Sequence, residues 1–304
     1  MLELDRLDGR TVAVTGATSG IGYFIAERLA ELGAEVIVVA RSGTRGRRAI
    51  DLLPHSARHR FLQMDLAVVD SVRHAGAELR DVPRLDGLVM NAGVIAPPTT
   101  FQNGPFGVEV TMGTNVLSHV ELLRIALPAM ERTPGARIVS MGSMLTRRIP
   151  FDPENWLAQR TYRPRTAYAM SKHATEILGF ELSRRLRTRH SEVESIVAHP
   201  GGAIDALTAD RPGIHTRSIV VRAAARMLGP AFSSIVQGKD SAAASAVAAV
   251  AAHDLPHGAV YIGPRRNAAG TPVLAEPVQT SHDPELGAFL WGETERIIGT
   301  RVFM

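Results

Sequence analysis

The stretch that decides the fold runs Thr11-Val-Ala-Val-Thr15, then Gly16-Ala-Thr18-Ser19-Gly20-Ile21-Gly22, then Tyr23-Phe24-Ile25-Ala-Glu-Arg28-Leu29. The first run, apolar and β-branched without alternation, reads as a strand buried on both faces. After the glycines, Ile21, Phe24, Ile25, Leu29 and Leu32 recur at helical spacing, and Gly33 is the stop. The glycines therefore sit in the turn from a first strand into a helix. There Gly16 allows the tight turn, Gly20 lets an anion approach the backbone, and Gly22 lets helix and strand pack closely. The helix N-terminus adds unpaired N–H groups. With Thr18, Ser19 and Ile21 between them, these residues are candidate contacts of a dinucleotide pyrophosphate.

The same alternation continues outward. Strands are expected at Thr11–Thr15, Glu35–Ala40, 60–64, Gly87–Met90, Arg137–Met141 and Glu194–Ala198, with a weaker seventh at 259–262. Further helices fit 68–79, 107–130, 167–187, 242–252 and a last one around Pro284–Ile298. Strands alternating with helices over 304 residues, without linker or internal repeat, imply one α/β domain. That domain is doubly wound and Rossmann-type, with a seven-stranded, mostly parallel sheet flanked by helices on both faces. A Gly- and Pro-interrupted stretch, about 202–238, suits a cover over the substrate, and about 263–304 forms a C-terminal extension.

Composition removes several function classes. Lys plus Arg, 34, against Asp plus Glu, 30, leaves +4. The arginines are interspersed with acids, which argues against a nucleic-acid platform. Zero cysteines exclude disulfides, thiolate metal sites and a cysteine nucleophile. His55 and His59, and His253 and His257, are each four apart, but neither pair encloses a metal-binding helical pattern, and they read as solvated loop histidines. No metal is expected. The most apolar run, 241–252, is too short to span a bilayer, and the charged start, MLELDRLDGR, reads as cytosolic. A cytoplasmic location is expected.

The second strand ends in Ala40-Arg41-Ser42, where such sheets read the adenosine ribose. No acid stands there to accept a hydrogen bond from a 2′-hydroxyl. Arg41 and Ser42 offer a guanidinium fork and a hydroxyl, with Arg45, Arg47 and Arg48 nearby, so NADP(H) is preferred over NAD(H).

Proton chemistry is suggested by Tyr168-Ala-Met-Ser-Lys172. A spacing of four on a helix puts phenol and ammonium on one face. Only Lys172 and Lys239 are lysines in a chain that otherwise uses arginine, so Lys172 stands out. Ser143 follows the strand Arg137–Met141 through Gly142, at a carboxyl end where α/β sheets gather ligands.

These residues together resemble the short-chain dehydrogenase/reductase family, in its retinol-dehydrogenase-like or protochlorophyllide-reductase-like branch. The likeness covers about residues 9–202. Its marks are Thr15-Gly16-x-x-x-Gly20-x-Gly22, Asp65-Leu66, Asn91-Ala92-Gly93, Asn115, Ser143 with Tyr168-x-x-x-Lys172, and His199-Pro200-Gly201. The resemblance implies hydride transfer between nicotinamide and a carbonyl or alcohol, with Tyr168 as general acid/base. It further implies that Lys172 lowers the Tyr168 pKa and holds the nicotinamide ribose. Ser143 would hydrogen-bond the substrate oxygen, and Asn115 would hold a water leading from Lys172 to solvent. Asp65 and Leu66 would meet the adenine, and Asn91, Ala92, Gly93, Pro200 and Gly201 would line the cofactor.

Two positions depart from the pattern. Asp205 stands where a threonine is common, placing an acid near the phosphates, so either Thr208 serves instead or affinity is reduced. Met90 replaces a frequent asparagine and is expected to face the core.

The leading reading is an NADP(H)-dependent oxidoreductase. Its alternative is a non-catalytic, NADP-binding regulatory or scaffold protein of the same fold. A sugar-nucleotide epimerase would show wider glycine spacing. The expected partner is a small, largely apolar carbonyl or alcohol substrate, walled by Leu145, Ile149, Phe151, Trp156, Leu207, Ile214 and Phe232. A homo-oligomer through the helices 107–130 and 167–187 is open, since the C-terminal part could block it.

Overall fold

The computed structural model describes residues 2–216, 218 and 236–303. Its sheet holds β1 Thr11–Thr15, β2 Glu35–Ala40, β3 Arg60–Gln63, β4 Gly87–Met90, β5 Arg137–Met141, β6 Glu194–Ala198, β7 Val260–Pro264 and β8 Pro272–Leu274. They lie in the order β3-β2-β1-β4-β5-β6-β7-β8. All pairings are parallel except β7 with β8. The expectation of seven strands is corrected to eight. β8 comes from the Gly- and Pro-rich tail and begins with a proline, which an edge strand tolerates because its outer side needs no ladder N–H.

The helices are α1 Gly20–Glu31, α2 Gly43–Leu52, α3 Val69–Arg80, α4 Val110–Met112, α5 Ser118–Glu131, α6 Pro164–Thr188, α7 Lys239–Ala242, α8 Ala244–Ala251 and α9 Pro284–Ile298. The continuous helix expected over 107–130 is instead α4, a π-helical turn at Gly113–Leu117, and α5. α2, a strongly basic helix, was absent from the expectation because its core face is only Gly46 and Ala49.

Strand side chains alternate between two cores, as a sheet covered on both sides requires. Ala13, Ile37, Leu88 and Ile138 face Leu79, Leu122, Ile177 and Trp291 on one side. Val12, Val14, Val38 and Val139 face Phe24, Leu29 and Val247 on the other. Met90 lies in the first core, as expected. His59 is not a solvated loop residue. It is buried, its Nδ1 accepting the N–H of Val36 at 3.1 Å while Nε2 donates to the Pro54 carbonyl at 2.7 Å.

Two features position the site. β1 is flanked by β2 and β4, so the chain reverses its direction of winding there and a crevice opens at the carboxyl ends of the strands. The described part of the cover segment is anchored on α1 by Arg211, whose guanidinium binds both oxygens of Glu27 at 2.7 and 3.0 Å and lies over the Phe24 ring. Gly229, Pro230 and Phe232 lie outside the described residues. The C-terminal extension packs back on α6 through Leu290 and Trp291, with the Arg185 guanidinium 4.6 Å over the Trp291 ring. Among the described residues no helix is long and apolar enough to cross a membrane.

Candidate active site

Gly16 and Gly20 both occupy the left-handed region, at φ +72° and +58°, where a side chain would be strained. At Gly22 the constraint is space. A Cβ there would stand 2.4 Å from the Gly16 carbonyl oxygen and from Asn91 Nδ2. Strand, turn and helix thus meet without side chains between them, leaving main-chain N–H groups at the surface of the turn. Ser19 is the N-cap of α1, yet its hydroxyl caps no backbone N–H.

The turn is braced from β4. Thr15 Oγ1 accepts the N–H groups of Asn91 and Ala92, both at 2.9 Å, and Asn91 Nδ2 donates to the Thr15 carbonyl at 2.9 Å. His119 completes the arrangement. Its Nδ1 lies 3.0 Å from the Asn115 carbonyl and its Nε2 3.0 Å from Thr15 Oγ1. A carbonyl can only accept, so Nδ1 carries the proton and Nε2 accepts from the Thr15 hydroxyl. Burial pushes this imidazole down to about 4, keeping it neutral at physiological pH.

At the ends of β2 and β3, Arg41 is exposed and makes no hydrogen bond or ion pair among the described residues. Ser42 caps α2, its hydroxyl accepting the Arg45 N–H at 3.3 Å. Asp65 accepts the Ala67 N–H at 2.9 Å through Oδ1, and the buried Leu66 accepts the Ser118 hydroxyl at 2.7 Å through its carbonyl.

Ser143 leaves β5 through Gly142 and caps the short 3-10 turn Met144–Arg147, its hydroxyl accepting the Leu145 N–H at 3.2 Å. That hydroxyl also acts on the Tyr168 phenol: burial holds the phenol above its ordinary value, and the Ser143 hydroxyl offsets part of the rise. Lys172 donates to the Met141 carbonyl at 2.8 Å and lies 5.8 Å from the centre of the Tyr168 ring. Burial pushes its ammonium down to about 8. Desolvation of the phenolate outweighs the Ser143 contribution, so the polypeptide by itself holds the Tyr168 pKa above its ordinary value.

The Asn115 amide joins two segments. Oδ1 accepts the Val94 N–H at 2.7 Å, and Nδ2 donates to the Val94 carbonyl and Ser171 Oγ, both at 3.1 Å. A Cβ at Gly93 would meet Oδ1 at 2.7 Å, so the glycine admits this clamp between the β4 loop and α6. Beside Asn115, a cavity of about 30 Å³ has a mainly apolar wall, including Val116, Leu123 and Trp291, with Lys172 and His119 also lining it.

At the far side, Gly201 is left-handed at φ +69° and packed against Ala268, and the Pro200 carbonyl accepts Gln237 Nε2 at 2.8 Å. Asp205 does not confront the glycine turn alone. Lys239 Nζ lies 2.5 Å from its carboxylate and His215 Nδ1 3.8 Å. Thr208 is buried, donating to the Ile204 carbonyl and accepting the Lys239 N–H, so its hydroxyl is spent within the loop. Of the expected pocket walls, Phe151 and Trp156 are buried in the core, Leu145 and Ile149 pack against it, and Ile214 packs against the opposite core.

His119 and Lys239 were not singled out by the sequence reading as parts of the site. His119 had no signal, being one of several polar residues on its helix. Lys239 did have one, the same rarity of lysine that drew attention to Lys172.

The short chain dehydrogenase family profile matches residues 10–210. Human retinol dehydrogenase 13 is 31% identical over 96% of this chain and 86% of its own length. Mouse polyprenol dehydrogenase is 33% identical over 96% of this chain and 84% of its length. Among solved structures, an uncharacterized protein from Mycobacterium paratuberculosis superposes with a TM-score of 0.78 at 28% identity, covering 99% of this chain and 98% of that one. A Burkholderia cenocepacia short chain dehydrogenase in complex with NADP gives 0.62 at 25% identity, over 87% and 100%. With cradle, crevice and Ser-Tyr-Lys group joined at one end of the sheet, the chain belongs to the short chain dehydrogenase family of oxidoreductases, in its retinol-dehydrogenase-like branch.

Proposed function

We propose that the protein is an NADP(H)-dependent oxidoreductase that interconverts a carbonyl and an alcohol, with Tyr168 as general acid/base. The observation that carries the proposal is the phenol of Tyr168, mostly enclosed, with the Ser143 hydroxyl acting to lower its pKa and the Lys172 ammonium beside its ring. The residues fit the dinucleotide. The turn excludes side chains, by left-handed backbone at Gly16 and Gly20 and by lack of space at Gly22, which suits a pyrophosphate on the backbone, and Lys239 offers a cation beside it. Arg41, with no other partner among the described residues, suits a 2′-phosphate, and a relative solved with NADP supports the same cofactor.

The nicotinamide, when bound, supplies or takes up the hydride at its C4. Ser143 would hold the substrate oxygen within reach of the phenol. Tyr168 then gives its proton to that oxygen in reduction, or removes it in oxidation. Lys172, charged at neutral pH, stabilises the phenolate that reduction leaves behind. One ground for a non-catalytic reading, a bare carboxylate near the phosphates, is weakened by the Lys239 partner of Asp205.

For substrate we propose a largely apolar alcohol or aldehyde. Two relatives are named for retinol and polyprenol, both long apolar alcohols. A cytoplasmic location belongs to the same proposal, on the cysteine-free composition. The test is a panel of apolar aldehydes and alcohols with NADPH or NADP, wild type beside Tyr168→Phe. Turnover that survives in the variant would reject Tyr168 as the acid/base.

A further inference from the structure

Glu176 lies one turn beyond Lys172 and two beyond Tyr168 on α6, so the three share a helix face. It is wholly buried. Its Oε1 accepts the main-chain N–H of Ser143 at 3.1 Å and the hydroxyls of Thr146 and Tyr261, each at 3.4 Å. Its Oε2 accepts the Ser281 hydroxyl at 2.7 Å. A Cβ at Gly142 would come 2.4 Å from Oε1, so the glycine at the end of β5 is what lets the carboxylate in.

If this volume needed only filling, an aliphatic side chain would do so without the desolvation a carboxylate incurs. The donors belong to the serine turn, to β7 and to the segment just before α9, none of them on α6 itself. Each is an oriented partner for a charged acceptor. We infer that Glu176 is a positioning residue, whose carboxylate holds the main chain of Ser143 so that the serine hydroxyl meets the Tyr168 phenol, and that Ser281 makes the C-terminal extension part of the active site. This rests on reading Ser143 and Tyr168 as the catalytic pair.

The surroundings bear on pH. From α6, Glu176 faces Lys172, and from the serine turn it faces Ser143 and Thr146, with the charge of Arg147 acting on its neighbours Tyr261 and His199. Tyr261 contacts it from β7, with His199, the residue after β6, stacked on that ring, and Ser281 closes the C-terminal side beside His282. Burial pushes the Glu176 carboxyl up to about 7, and the four hydrogen bonds hold it from rising further. His199 is pushed down to about 4 and Tyr261 well above its ordinary value, so neither changes charge near neutrality. Protonating Glu176 removes acceptor capacity from the cluster and loosens the hold on Ser143.

The test compares wild type, Ser143→Ala, Glu176→Gln and Ser281→Ala by two readouts. The first is the ultraviolet titration of the Tyr168 phenol, isolated by subtracting Tyr168→Phe. Its midpoint is expected to rise in Ser143→Ala, which loses the hydroxyl that lowers it, and to rise in the same direction in Glu176→Gln and Ser281→Ala. The second is the pH profile of kcat. Glu176→Gln is expected to lower kcat about fivefold to tenfold, the worth of one hydrogen bond, with little change in NADPH affinity, and to erase the acidic limb near pH 7. A folded Glu176→Gln whose phenol midpoint and pH profile match wild type overturns the inference. If that variant does not fold, an unchanged midpoint in Ser281→Ala overturns it. Failure of the oxidoreductase reading looks different, since wild type then turns over no substrate while the phenol midpoints still decide the role of Glu176.

Discussion

The ammonium of Lys239 lies 2.5 Å from a carboxylate oxygen of Asp205, and its stem passes Gly20, where a Cβ would stand 3.9 Å from Lys239 Cδ. One lysine thus neutralises Asp205 and runs beside the phosphate turn. Lys239→Ala is expected to weaken NADPH binding about tenfold, because it removes the cation and leaves Asp205 unpaired. Adding Asp205→Asn should restore part of the loss. Calorimetric titration of both variants checks this, and an unaltered Kd in Lys239→Ala would remove the lysine from the cofactor site.

Arg41 projects from the end of β2 beside a helix cap formed by Ser42. Arg41→Ala is expected to weaken NADPH binding about tenfold to a hundredfold, as loss of a charge-assisted bond does, with little effect on NADH. Parallel fluorescence titrations decide it, and an equal loss for both cofactors would move the 2′-phosphate contact elsewhere.

Removing the Tyr168 hydroxyl deletes the proton donor and nothing that holds the cofactor turn. Tyr168→Phe should therefore lower kcat by about 10²- to 10⁴-fold while NADPH affinity stays near wild type. Steady-state kinetics with a binding titration separate the two quantities.

Gly22→Ala places a methyl 2.4 Å from the Gly16 carbonyl, a main-chain atom that cannot swing aside. The expected cost is about 1–3 kcal/mol in thermal or urea unfolding, with loss of cofactor binding as the turn is pushed open. A variant with both stability and binding intact would mean that the turn relaxes freely.

Acid sensitivity follows from buried imidazoles. His119 and His199 are both held down to about 4 from an ordinary 6.5, chiefly by burial. The unfolded chain thus binds more protons than the folded one between those values, and stability falls as pH drops from about 6.5 to 4, by roughly 3 kcal/mol for each histidine. Glu176, raised to about 7, acts in the opposite sense and offsets part of the loss. Melting temperatures from pH 7 to 4.5 should fall in wild type. Replacing His119 by Gln should flatten the decline, and a parallel decline would locate the acid-sensitive group elsewhere.

Much of the fold could be read along the chain because its cause is local. Six strands and the last helix follow from apolar runs and helical spacing, which arise from backbone sterics and from burial on one or both faces. The glycine turn and the Tyr168 and Lys172 spacing are legible for the same reason. The break in the helix over 107–130 was not, although Gly113 stands at it, since the Asn115 clamp on Val94 is made to a loop.

By itself, then, the amino-acid order determined the doubly wound sheet, the phosphate turn at Gly16, Gly20 and Gly22, and the shared face of Tyr168 and Lys172. Only the tertiary structure decided what each polar side chain is bonded to. Asp205 is matched by Lys239, the Asn115 amide is committed to Val94 and Ser171, and Glu176 gathers donors from Ser143, Thr146, Tyr261 and Ser281. The physical reason is range: periodicity is set within a few residues, whereas a hydrogen bond joins whichever segments packing brings together, and no spacing in the chain encodes that meeting.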